Sequence, residues 1–289
     1  MRVCPGCRAA LTGAGWECSA CGYRAPTRAG FVALAPELAV GGEGFDPAMF
    51  SELAALEARN FWFRARNRLI VWALQRYFPG FASFVEVGCG TGYVLQGVAA
   101  AFPAVTLLGT EVHTEGLHYA ARRVPRAAFL QIDARHMPFD SEFDVIGAFD
   151  VIEHIEEDEA VLAEMYRAVR PGGGVLLTVP QHPFLWSEYD ARAHHVRRYV
   201  AGDLRQKLAR AGFEIVRMTS FVSLLLPLMM LSRRRVPAAD YDPLGELRIG
   251  TAANALLERA LDVERCLIRA GLPLPVGGSL LVAARRPAR

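Results

Sequence analysis

Lysine is nearly missing from this 289-residue chain: Lys207 is the only one, and arginine carries almost all of the positive charge. The formal net charge is only +2, so charge balance alone does not point to nucleic acid. The start, Met1-Arg-Val-Cys4, lacks the apolar h-region of a secretory signal. Long hydrophobic runs are also absent. The longest, Phe221 to Leu231, is broken by Ser223 and Pro227 and is about half of the roughly 20 residues that a membrane span needs. A cytoplasmic location is the expectation that follows. The composition, 52% hydrophobic and 21% charged, is that of a folded chain with one large core, or one core and a small module.

The cysteines are few and concentrated. Cys4-Pro-Gly-Cys7 and Cys18-Ser-Ala-Cys21 form two C-x-x-C pairs. Each such turn can present two thiolates to one ion, and two turns complete a closed tetrahedral Zn2+ site. A segment this small has too little apolar surface to fold otherwise, so zinc is expected to fold it. All four positions are used, which makes the metal structural rather than catalytic; redox-active pairs are the alternative. Residues 1–45 are expected to be this ribbon and a linker, with Glu37 to Asp46, including Gly41, Gly42 and Gly44, as the linker.

The rest, 46–289, is organised around Phe84-Val-Glu-Val-Gly-Cys-Gly-Thr-Gly92. This is an apolar run that breaks into three alternating glycines, the pattern of a strand ending in a loop that approaches a ligand closely. Dinucleotide folds carry G-x-G-x-x-G instead. Apolar runs then alternate with helical patterns through Val179, which argues for a parallel sheet covered on both faces, with ligands at the carboxyl ends of its strands. Glu111 ends the second of these strands and could accept hydrogen bonds from ribose hydroxyls. Asp133 ends the third and could accept from an adenine amino group. Either acid could instead be the cap of the following helix.

The G-x-G-x-G spacing with Glu86 before it resembles the nucleotide-binding loop of class I S-adenosylmethionine (SAM) dependent methyltransferases. The resemblance runs from about Phe61 to Phe221 and includes Phe143-Asp-Val-Ile-Gly-Ala-Phe-Asp-Val-Ile-Glu-His154 and Arg170-Pro-Gly-Gly-Gly174. It implies a Rossmann-like α/β fold: a seven-stranded, mostly parallel sheet with helices on both faces, here joined to the zinc ribbon and to helical additions at 46–80 and 222–271. It implies SAM as cofactor, held by Glu86, Gly88, Cys89, Gly90, Gly92, Glu111, Val112, Asp133, Ala134, Phe149 and Asp150. It also implies a tight turn at Arg170 to Gly174. The ribbon resembles small zinc ribbons attached to, or partnered with, methyltransferases. The Asn/Asp-Pro-Pro-Tyr or Phe signature of amide and base methylases is missing after the fourth strand, which lowers the case for DNA or glutamine as acceptor.

Asp46-Pro47 is expected to open a helical pattern that runs through Phe78. Within it, Asn60-Phe-Trp-Phe-Arg-Ala-Arg-Asn-Arg68 mixes three aromatics with three arginines, too many for one buried face. A lid over the cofactor, with Trp62 on the sulfonium and Arg64 on the carboxylate, is one reading; a packed helix with a solvated arginine face is the other. His154 and His195 are candidates for a catalytic base. His182, Trp186, Arg198 and Tyr199 are candidates for an acceptor pocket, although His195 to Tyr199 could simply brace the loop, and the histidines could hold a second metal.

The expected activity is methyl transfer to oxygen or nitrogen of a small molecule. RNA or protein methylation with the ribbon as docking element, and a non-catalytic SAM-binding protein, are the alternatives. The run Phe221 to Leu231, with Arg233, Arg234 and Arg235 behind it, is expected to be core. Its alternative is an apolar patch with a basic rim, contacting lipid over 221–235 or admitting an apolar acceptor. The sequence leaves the oligomeric state open.

Overall fold

The computed structural model describes residues 1–13, 15–39, 47–233 and 242–288. Most of the glycine linker, Asp46, Arg234 and Arg235 lie outside the described residues. Among the described residues nine strands form one sheet: β1 (Thr27–Arg28), β2 (Phe31–Ala33), β3 (Ser83–Val87), β4 (Thr106–Glu111), β5 (Ala128–Gln131), β6 (Phe143–Phe149), β7 (Val169–Pro180), β8 (Glu214–Phe221) and β9 (Ser279–Arg285). Their order is β1-β2-β5-β4-β3-β6-β7-β9-β8.

β3 pairs in parallel with both β4 and β6. The chain therefore leaves the centre of the sheet on one side and re-enters on the other, and this reversal opens a crevice at the carboxyl ends of β3 and β6. β9 runs antiparallel between β7 and β8. These are the topology and layers of the class I methyltransferase, Rossmann-like fold. The seven strands β3 to β9 match the expected sheet, and β1 and β2 extend it. β2 adds in parallel to β5, with Val32 opposite Leu130, so residues 27–33 form an edge of this sheet.

Alternation along the strands builds two cores, one on each face. On β9, Leu280, Val282 and Ala284 enter one apolar cluster, and Leu281 and Ala283 enter the other. The helices are α1 (Phe50–Leu56), α2 (Phe61–Tyr77), α3 (Tyr93–Ala101), α4 (Thr114–Arg123), α5 (Asp158–Ala168), α6 (Glu188–Arg192), α7 (Ala201–Arg210), α8 (Leu226–Ser232) and α9 (Thr251–Arg269). Leu162 and Met165 of α5, with Leu204 and Leu208 of α7, cover the first face. Ile70 and Leu74 of α2, Leu95 of α3 and Ile268 of α9 cover the second.

Three expectations are modified. The helix expected from 47 to 78 is broken between α1 and α2, because Asn60 restarts it as a cap: its side chain accepts the Trp62 amide at 2.9 Å. Arg170 to Gly174 forms the first part of β7 instead of a tight turn, with a register shift against β6 between Phe143 and Val145. The run Phe221 to Leu231 is core only at its start: Phe221 and Val222 are buried, whereas α8 has no buried residue and Leu228 and Leu231 are exposed.

The cysteine segment does not stand apart. The Val3 amide donates to the Pro138 carbonyl at 2.9 Å, and Trp16 packs edge-on against Phe139 at 5.8 Å, inside the same core cluster as Val85 and Ile146.

Candidate functional site

At the carboxyl ends of β3 and β4 the three glycines take φ values of +64°, +50° and +77° at Gly88, Gly90 and Gly92. At Gly88 and Gly92 side chains are excluded by space as well as by conformation. A Cβ on Gly88 would stand 2.6 Å from Val151 Cγ2, and one on Gly92 2.8 Å from Ala120 Cα. The loop floors a cavity of about 740 Å3 whose walls include Phe50, Glu57, Trp62, Arg66, Glu86 and Glu111. Val112, Asp133, Ala134, Phe149, Asp150 and Cys89 line it too, so the structure brings the expected cofactor residues together around it except Gly92, which lies behind the loop at the start of α3, and Arg64.

Glu111 fastens the loop: one carboxylate oxygen accepts the Gly90 amide at 2.9 Å and the other the Val112 amide at 2.8 Å. Burial raises its carboxyl above the ordinary range. Glu86 is more exceptional. Its Oε2 is buried without any partner, and burial pushes the carboxyl well up despite the nearby Arg66 charge. Asp133 caps a short turn. It accepts the Arg135 amide at 2.9 Å and grips the Arg135 guanidinium at 3.0 Å. Burial alone would raise its carboxyl, but these bonds win and hold it low.

Arg66, not Arg64, serves the cavity. Its guanidinium lies over the Trp62 ring, 4.5 Å from the centroid, and pairs with Asp150. Arg64 turns away to Glu258 of α9, with Nε at 3.0 Å, and Arg68 joins the same carboxylate at 2.8 Å. The reason is helical phase: 62 and 66 share one face of α2, and 64 and 68 share another. Glu57 was not anticipated. It is buried against Thr91 Oγ1 at 2.7 Å and Arg123, and only its distance from the glycine loop in sequence concealed it.

A second cavity, of about 880 Å3, adjoins the first. Trp62, Asp150, Tyr189, Ala191 and His195 line both. Trp186, Arg198, Leu228 and Met229 line the second alone. Of the other expected pocket residues, His182 stacks on Phe184 at 4.9 Å and borders neither cavity. Tyr199 is buried away from both, its hydroxyl donating to Asp158 at 2.6 Å, the bracing role that was the alternative for it. His154 borders the first cavity, but burial and then the neighbouring His195 drive its pKa down to about 3. That is far below what a general base needs at neutral pH.

In the N-terminal segment, Cys4 Sγ lies 3.6 Å from Cys21 Sγ, and Cys7 Sγ lies 3.6 Å from Cys18 Sγ. A tetrahedral site with Zn–S bonds of about 2.3 Å has sulfur–sulfur edges of about 3.8 Å, so the four thiols already have the shape of a metal cage. All four fall within 4.8 Å of one another.

Residues 85–177 match the family model of a methyltransferase domain. A Mycolicibacterium smegmatis protein described as a probable S-adenosylmethionine-dependent methyltransferase is 28% identical over 56% of this chain and 63% of its own length. The trans-aconitate 2-methyltransferase of Azoarcus sp. is 27% identical over 45% of this chain and 49% of its own. The chain thus spans less than two thirds of either relative. Among solved structures, the cyclase SpnF superposes with a TM-score of 0.57 at 20% identity, covering 86% of this chain and 99% of that one. That likeness is one of fold, and a fold can carry more than one chemistry.

Proposed function

We propose that this chain transfers a methyl group from SAM to a small-molecule acceptor, with the cofactor in the first cavity and the acceptor in the second. The observation that carries the reading is the common wall: two cavities of ligand size meet at Trp62, Asp150 and His195, beside a glycine loop of the family's type. The residues present fit SAM. Its ribose suits Glu111, its ammonium group suits the unpartnered Oε2 of Glu86, and the glycine loop leaves room for close backbone approach. When bound, SAM supplies an electrophilic methyl group on a sulfonium. The chain then has to hold the nucleophile in line and keep water out.

An acceptor that is already an anion needs no base, which suits a site whose nearest imidazole is so weakly basic. Arg198 and Arg233 on the second cavity's wall favour such an anion, and the relative named for trans-aconitate favours a carboxylate oxygen. Leu225, Leu228 and Met229 line the same cavity and suit an apolar portion of the acceptor, while lipid contact through 221–235 is the competing use of this wall. Calorimetry with SAM and S-adenosylhomocysteine, followed by mass spectrometry of carboxylic acids incubated with SAM, tests the reading. Absence of SAM binding would overturn it.

The cysteine cluster is read as a structural zinc site. Sheet order favours that role over docking of a macromolecular acceptor: the ribbon joins the β5 side, while the second cavity is walled by the ends of β7 and β9 and by α8 on the other side. A Cys4→Ser protein is expected to lose zinc and melting temperature together. Salt-sensitive retention of the protein on RNA would instead support a nucleic-acid acceptor.

A further inference from the structure

Three groups around the common wall are given no bond to cofactor or acceptor by the methyl-transfer reading. Glu153 is completely buried, at 0% exposure, and neither carboxylate oxygen has a hydrogen-bond partner. Nδ1 of His154 is buried and unpartnered as well. His195 stands edge-on to His154, with ring centroids 4.7 Å apart. One ligand atom from each of the three lies within 4.8 Å of the others. An ionised carboxylate left alone in a protein interior is strongly destabilising, and a bound cation removes that penalty.

The surroundings prepare the imidazoles for a ligand. His195 Nδ1 meets Asp190 Oδ1 at 2.9 Å, and Asp190 is itself fully buried, held by Arg198 Nε at 2.8 Å and by the Ser187 amide at 2.9 Å. A carboxylate on Nδ1 keeps the proton there and leaves Nε2 with its lone pair. Such a carboxylate–histidine relay is the usual support of a metal-bound imidazole.

We propose that Glu153, His154 and His195 bind one divalent first-row transition-metal ion on the wall between the two cavities, and that this ion holds an oxygen-bearing acceptor. Two imidazoles and one carboxylate suit manganese, iron, cobalt, nickel or zinc better than magnesium or calcium. Glu153 and His195 line the second cavity, so open coordination positions face the acceptor. A ligated carboxylate would be oriented, and a ligated hydroxyl would release its proton to solvent more readily. As a statement about the acceptor this rests on the methyl-transfer reading; as a statement about a cation it does not.

Co2+ is the probe. The full-length protein, with zinc on the cysteine cluster, is titrated with Co2+ and followed by visible d–d absorption. Nitrogen and oxygen ligands give these bands without the thiolate charge-transfer band that cobalt at the cysteines would show. Saturable uptake of one further ion per chain is expected, lost in Glu153→Gln and in His195→Ala. Asp190→Asn, a change in a positioning residue, is expected to weaken it by about 10- to 100-fold. Glu153→Gln removes an unpartnered buried charge, so the metal-free variant should melt no lower than wild type, which separates a lost ligand from a lost fold. No uptake by wild type, or uptake retained in both Glu153→Gln and His195→Ala, overturns the site. Calorimetric SAM binding on the same samples keeps the two readings apart: Co2+ uptake without SAM binding leaves the metal site standing and ends the methyl-transfer reading, and SAM binding without uptake does the reverse.

Discussion

The amide of Gly90 donates to a carboxylate oxygen of Glu111 at 2.9 Å, so the acid suited to a cofactor ribose also ties the glycine loop to the end of β4. Glu111→Ala therefore removes two things at once, the ribose acceptor and the anchor of the loop. Hydrogen bonds to a charged group are worth about 1.5–3 kcal/mol each. Loss of two predicts SAM binding weakened by about 100-fold or more in calorimetry. Glu111→Gln keeps one acceptor oxygen and should fall between the two proteins. Equal SAM affinity in Glu111→Ala and wild type would contradict the assignment.

Gly88 supplies a test of the loop that does not depend on any ligand. With φ at +64°, and with Val151 Cγ2 only 2.6 Å from the place a Cβ would occupy, Gly88→Ala combines backbone strain with a clash. Strain of this kind amounts to about 1–3 kcal/mol. Urea unfolding of the metal-loaded protein should show a loss of at least that size. Adding Val151→Ala should restore the steric part and leave the conformational part.

Tyr199 separates bracing from substrate contact. Its hydroxyl donates to Asp158 at 2.6 Å, and the same carboxylate receives Lys207 Nζ at 2.6 Å and pairs with Arg197 at 3.0 Å. Tyr199→Phe removes one bond from a buried network and is expected to lower stability by about 1 kcal/mol. SAM affinity and the Michaelis constant for any acceptor should stay as they were. Asp158→Ala, which leaves the half-buried Lys207 and Arg197 without this carboxylate, is expected to cost more than Tyr199→Phe. A selective change in acceptor affinity for Tyr199→Phe would return this residue to the pocket.

The parts of this molecule readable from sequence are those in which one short stretch contains its own reason. Gly88, Gly90 and Gly92 need no partner elsewhere to announce a crevice, and Glu111 follows from strand length. Arg64 and Arg66 show where local reading fails. Both are visible in the sequence, but the choice between them depends on the phase of α2 against α9, that is, on Glu258 far along the chain. Glu153 stands among other acids, Asp150, Glu156, Glu157 and Asp158, with nothing local to single it out, and its relation to His195 exists only because the loop after β7 folds back, with the Val196 amide donating to the Glu153 carbonyl at 2.8 Å. β1 and β2 are too short to show periodicity, and their place in the sheet comes from pairing with β5 alone.

Glu86 predicts a pH dependence with a definite sign. Burial raises its folded-state pKa well above that of the unfolded chain, about 4.3 for a glutamate. Between those two values the folded protein holds the proton more tightly than the unfolded one, so stability is greatest below the unfolded pKa and declines as pH rises through the window. Each tenfold difference in proton affinity between the two states corresponds to about 1.4 kcal/mol. Glu86→Gln should remove this component. Without cofactor it should gain on wild type in urea unfolding at pH 7.5 and differ from it little at pH 4. With SAM present the order should invert, because the ammonium group stabilises the ionised carboxylate in wild type and finds only an amide in the variant. A wild-type advantage at pH 7.5 without cofactor would show that Glu86 has a partner in the free protein.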